Sequence, residues 1–142
     1  MENNDRIVRD SKGREYKIVC EAEHTENVKK YTVYMALYHP YKFFISSDDI
    51  DKVNLEGINI CEYDSIDTRF KAFDVVRHFK GNYYMVICDG IDISTGEHVV
   101  VYARLYEPYK IWVRPSEMFY SKEDKNKYPD VEQEYRFERV VG

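Results

Sequence analysis

Residues 105–115 read LYEPYKIWVRP, and residues 37–47 read LYHPYKFFISS. One phrase is written twice, 68 positions apart. Sliding the chain against itself by that offset also aligns IVRDSKGREYKIVC with VVRHFKGNYYMVIC. No gap is needed from Ile7/Val75 to Asp51/Phe119, and 13 of those 45 pairs are identical. The identities fall in apolar segments and turns, as in Lys12-Gly13 and Lys80-Gly81, Tyr16 and Tyr84, Cys20 and Cys88. A later echo, TRFKAF (68–73) with YRFERV (135–140), has an offset of 67. The chain is therefore an internal duplication with units at 1–73 and 74–142 and no linker between them.

Each unit reads as a string of short strands. Alternation in YYMVIC puts Tyr84, Val86 and Cys88 on one face, and likewise Tyr16, Ile18 and Cys20 in the first unit. SKGR (11–14) and FKGN (79–82) read as tight turns in which glycine supplies a positive φ. VVVYARLY and KIWVR flank Glu107-Pro108-Tyr109 as a hairpin. SSDDIDKV and PSEMFYSK place a serine before acidic residues, as an N-cap for a helical turn does. A last strand closes each unit, and SKEDKNKYPDVEQE (121–134) reads as a solvated loop. Five strands with a helical turn before the last predict an all-β fold, a tandem pair of small SH3-like barrels. Units of this size bury a small share of their surface, so the two should pack as one pseudo-twofold body.

Composition narrows the function classes. At 142 residues, 44% hydrophobic and 33% charged, the chain has the composition of a folded globular protein. No apolar run approaches the roughly 18 residues that span a bilayer. The polar start MENNDRIVRD lacks the apolar core of a secretory signal, so a cytoplasmic setting is expected. A net charge of −5 with interspersed signs argues against general binding to nucleic-acid backbone. Cys20, Cys61 and Cys88 form no metal-ligand spacing, and no phosphate loop or nucleophile elbow is present. No cofactor is implied.

The two copies differ where the hairpin carries chemistry. With the loop centred on Pro108, Tyr102, Arg104, Tyr106, Trp112 and Arg114 share one face. Arg104 then lies across from Trp112, and Tyr102 across from Arg114. The first copy has Tyr34, Ala36, Tyr38, Phe44 and Ser46 at those places. This set suits a platform that stacks a planar or anionic group, such as a small molecule, a nucleotide or a peptide side chain. The competing use is packing against the other copy or the last strand. Burying a Trp removes about 150–250 Å² from water, roughly 4–6 kcal/mol, more than a cation–π pair contributes. The arginines resist such burial unless they are paired. A binding module without catalytic machinery is thus expected. An assembly protein with Tyr-rich faces, oligomerisation being left open, is the alternative, and a small enzyme using His78 is a second.

The second copy also resembles the bacterial domain-of-unknown-function family numbered 1653. The likeness runs through RHFKGNYYMV, STGEHVVVYARLY and IWVRPSEMF, over about residues 75–140, and W-V-R-P-x-x-M-F is its most specific part. The family's turn His is replaced by Asp92, so a role resting on that His does not carry over. The first copy is a diverged relative, with Asp10, Phe44, Ser46 and Ser47 where the second has His78, Trp112, Arg114 and Pro115. The resemblance implies the fold and a bacterial cytoplasmic setting, and no reaction.

Overall fold

A computed structural model describes residues 7–39, 41–48 and 70–140. In chain order its elements are β1 (Ile7–Arg9), β2 (Glu15–His24), β3 (Lys30–Ala36), β4 (Phe43–Ser46), β5 (Val75–His78), β6 (Tyr83–Asp92), β7 (His98–Arg104), β8 (Ile111–Pro115), α1 (Ser116–Phe119) and β9 (Phe137–Arg139). The glycine turns close as read. Gly13 (φ 85°) and Gly81 (φ 107°) lie in hairpins β1–β2 and β5–β6. The Gly13 amide donates to the Asp10 carbonyl at 3.0 Å, and the Gly81 amide to the His78 carbonyl at 2.7 Å.

Within each copy the strands run antiparallel, β1-β2-β3-β4 and β9-β5-β6-β7-β8. Two parallel seams join the copies. β4 lies beside β6, with Phe44 paired to Ile91, and β2 lies beside β8, with Glu23 paired to Trp112. An offset of 68 carries one seam onto the other, so the body is pseudo-twofold. The strands β2, β3, β4, β6, β7 and β8 thereby close one ring through both copies. Among the described strands, neither copy closes by itself as a separate small barrel.

Two bulges make this ring work. Pairing slips by one residue between Ile18 and Cys20, and between Val86 and Cys88. The expected common face does not hold, because an inserted residue turns the rest of the strand over. Tyr16 and Ile18 pack in the first copy's core with Tyr34, Phe44 and Ile91. Tyr84 and Val86 pack in the second copy's core with Val100, Tyr102, Phe119 and Phe137. Cys20 and Cys88 turn instead to a shared core, with Val33, Ile45, Val99, Val101 and Val113. Each long strand so serves its own copy with one half and the joint interior with the other.

Other expectations change in detail. α1 forms, but its N-cap is Pro115 without a side-chain hydrogen bond, so Ser116 lies inside the first turn. The matching turn in the first copy lies largely outside the described residues, as do positions 68 and 69 of its last strand. Phe70–Phe73 is not extended. The stretch 121–134 is an anchored loop: Glu123 is buried, and Gln133 Nε2 donates to the Arg77 and Tyr135 carbonyls, each at 2.9 Å.

Candidate functional site

Tyr102, Arg104, Tyr106, Trp112 and Arg114 line one pocket of about 360 Å³ with Thr25, Val28 and Tyr84. The strands put them there in a register two residues from the expected one. Tyr102 lies across from Trp112, Ala103 from Ile111, and Val100 from Arg114. A shift of two keeps every side chain on its face, since strand alternation has period two. The partners change, however. Arg104 stacks over Tyr106, 4.2 Å from the ring centre, and Lys110 lies 5.0 Å over Trp112. The expected Arg104–Trp112 stack is replaced by these two.

Tyr102 is the floor, 2% exposed, with its ring against Tyr84, Phe119 and Phe137. Its hydroxyl accepts a hydrogen bond from Arg114 Nε at 3.0 Å. This leaves the two terminal nitrogens of Arg114 without a hydrogen-bond partner among the described residues. Trp112 is half-buried against the same core. Tyr84 and Tyr106 share a hydrogen bond between their hydroxyls at 3.0 Å. Packing and exposure therefore divide the set: Tyr102 is a core residue with its polar tip in the pocket, and the other four are partly open.

The pocket lining carries two arginines and no carboxylate, while Glu23 pairs with Lys110 at 3.1 Å beside Trp112. Among the described residues, no carboxylate lies within ion-pair distance of Arg104 or Arg114. Arg104 Nε is buried without a hydrogen-bond partner. Burial lowers the pKa of Arg136, and the like charge of Arg114 lowers it further. His78 is held down to about 4, by burial first and then by Arg114, Arg136 and Lys80. Burial raises the Tyr102 phenol even though Arg114 and Arg136 favour its ionised form.

His78 does not line this pocket. Its Nδ1 accepts the Lys80 amide at 3.1 Å, and its ring stacks on Phe79, with centroids 4.4 Å apart. Asp10, the equivalent residue, accepts from Tyr16 Oη at 2.9 Å and from Arg14 Nε at 2.9 Å. Burial pushes the Asp10 carboxyl up, and these bonds with the Arg14 and Lys12 amides outweigh it, so its pKa is lowered. Position 10/78 thus holds the first turn of either copy.

The matching place in the first copy is closed. Phe44 is 0% exposed, Ala36 1% and Ile93 6%, packed with Tyr16 and Tyr34. The offset maps Ile93 onto Thr25, Ala36 onto Arg104 and Phe44 onto Trp112. Apolar side chains fill one location, and a mixed set that includes two arginines surrounds a void at the other. The sequence pattern does not mark Thr25, Val28 or Tyr84 as site residues, yet all three line the pocket. The signal for Thr25 was its alignment with an isoleucine, but its relevance needs the β2–β8 seam, which strand patterning alone does not reveal.

A closed ring of two repeated β units, with an aromatic and cationic pocket in the second, defines a tandem-repeat all-β protein. The chain belongs to the family described as Protein of unknown function (DUF1653), which matches at residues 7–71 and again at 74–139. Both copies, not the second alone, carry the family's pattern. No curated protein and no solved structure matches the chain. Among the described residues no helix is long and apolar enough to cross a membrane.

Proposed function

We propose that the chain is a non-enzymatic binding module whose second copy holds a small planar anion between Trp112, Tyr106, Arg104 and Arg114. One observation carries this reading: the same place in the first copy is filled by Ala36, Phe44 and Ile93, while the second is left open. A filled pocket is the stable default for apolar side chains, because burial removes their surface from water. Two arginines without carboxylate partners among the described residues favour an anion in the open one. Nucleotides and phosphorylated or aromatic peptide groups fit that chemistry, and about 360 Å³ lies near the lower end of small-molecule sites. In this reading the first copy is a scaffold for the second, in a bacterial cytoplasm.

Trp112 is the single tryptophan, so its fluorescence reports this pocket alone. Titration with phenyl phosphate and with mononucleotides should change its emission saturably. Replacing Trp112 with Phe and Arg114 with Ser, the first copy's residues, should lower affinity for phenyl phosphate at least tenfold, measured by calorimetry. Each melting temperature should stay within about 5 °C of the parent. A fold lost along with binding would support the packing use instead.

Assembly is the second reading, favoured by the exposed rings of Tyr41 and Tyr109 at the two hairpin ends. A monomer in sedimentation at high concentration would remove it. Catalysis by His78 receives less support, since its ring is packed and one nitrogen is engaged.

A further inference from the structure

The turn from β2 to β3 belongs to the first copy, yet it reaches the second copy's pocket through Thr25 and Val28. It is built on the same plan as the turn from β6 to β7. In the first turn the His24 carbonyl accepts the Val28 amide at 3.0 Å, and His24 Nδ1 accepts the Glu26 amide at 3.1 Å. In the second the Asp92 carbonyl accepts the Gly96 amide at 2.7 Å, and Asp92 Oδ1 accepts the Ser94 amide at 3.0 Å. The residue at position 28/96 is left-handed in both, with φ 53° for Val28 and 74° for Gly96.

Glycine adopts that conformation without steric cost, whereas a β-branched residue there is strained. The turn itself has no need of a valine, because Gly96 makes the equivalent backbone bond. Core packing does not require it either, as Val28 is 70% exposed. What distinguishes Val28 from Gly96 is the wall of an open pocket. Strain retained at such a place marks a residue whose side chain is used there.

We propose that Val28 is a specificity-determining residue, an apolar wall lent by the first copy that favours anions bearing a ring over bare anions. This rests on the reading of the pocket as a binding site. Arg104 and Arg114 attract any small anion, so charge alone does not discriminate among them. The valine methyls add contact only with a ligand that extends beyond its anionic group. The site is then a joint product of both copies, and the duplication is part of its chemistry.

The test uses the full chain, with phenyl phosphate and inorganic phosphate as probes and Trp112 emission as readout. Wild type should prefer phenyl phosphate. In Val28→Gly, affinity for phenyl phosphate should fall about tenfold while that for inorganic phosphate stays unchanged. The same variant should melt at a higher temperature, since the strain is relieved, which separates lost contact from lost fold. Val28→Ile should keep the preference. A Val28→Gly protein with the parent's preference would overturn the assignment, as would a wild type binding both probes equally well. Binding of neither probe by wild type would remove the pocket reading and this inference with it.

Discussion

Burial moves the pKa of Asp89 up and that of His78 down, and each leaves its own mark on stability. Burial raises the Asp89 carboxyl from 3.8 to about 6, the Tyr120 hydroxyl pulling slightly the other way. The folded chain therefore favours its neutral form, and stability is lost as pH rises from about 4 through about 6. His78 is lowered from 6.5 to about 4, so the fold favours the neutral ring. Its contribution is present above about 6.5 and is lost as pH falls toward about 4. Between pH 4 and 6 the two oppose each other. Asp89→Asn should stabilise the protein by about 1–2 kcal/mol at pH 7.5, after discounting for partial exposure, and by less at pH 5. Urea unfolding at the two pH values measures this. Equal stability of parent and variant at both would contradict the assigned burial. Neither perturbation was legible in the sequence. Asp89 sits in an apolar strand, but which wall it faces depends on the bulge before it.

At the scale of elements, the strands and glycine turns were legible because alternation and positive-φ residues are local signals. The bulges were not, since one inserted residue has no fixed composition. They overturned the common face assigned to Tyr84, Val86 and Cys88. The pairing lies two residues from the register that a loop centred on Pro108 gives, because the loop is symmetric about Glu107. The five candidate residues stayed together only because that error was even. The seams were also illegible, since parallel pairing of β4 with β6 and of β2 with β8 joins distant segments. Gly90 lies at the β4–β6 seam, where an added Cβ would meet the Phe43 carbonyl oxygen at 3.4 Å and Val99 Cγ2 at 3.7 Å. Ala22 occupies the equivalent position. Gly90→Ala should therefore change stability by less than about 1 kcal/mol. Gly90→Val should cost about 2 kcal/mol or more, by forcing the strands apart. Thermal melts of the pair test the seam, and a valine tolerated as well as alanine would argue that β4 and β6 are not held so closely.

Over the whole molecule, the duplication explains both the ring and the asymmetry. The copies share a core to which each contributes strands, so they stabilise each other as small units require. The copies also differ at an equivalent place, which is filled with Ala36, Phe44 and Ile93 in the first and open between Arg104, Trp112 and Arg114 in the second. The chain carries a net charge of −5, and its average field repels anions and attracts cations. A pocket lined by two arginines that meet no carboxylate among the described residues should reverse that field locally. Trp112 is placed to report the reversal through collisional quenching by iodide and by caesium at matched low ionic strength. The account predicts that iodide quenches Trp112 more strongly than caesium does, that the difference shrinks in high salt, and that it is lost in Arg104→Gln with Arg114→Gln. Stronger quenching by caesium, or an indole that neither ion reaches, would contradict an anion-collecting pocket in the second copy.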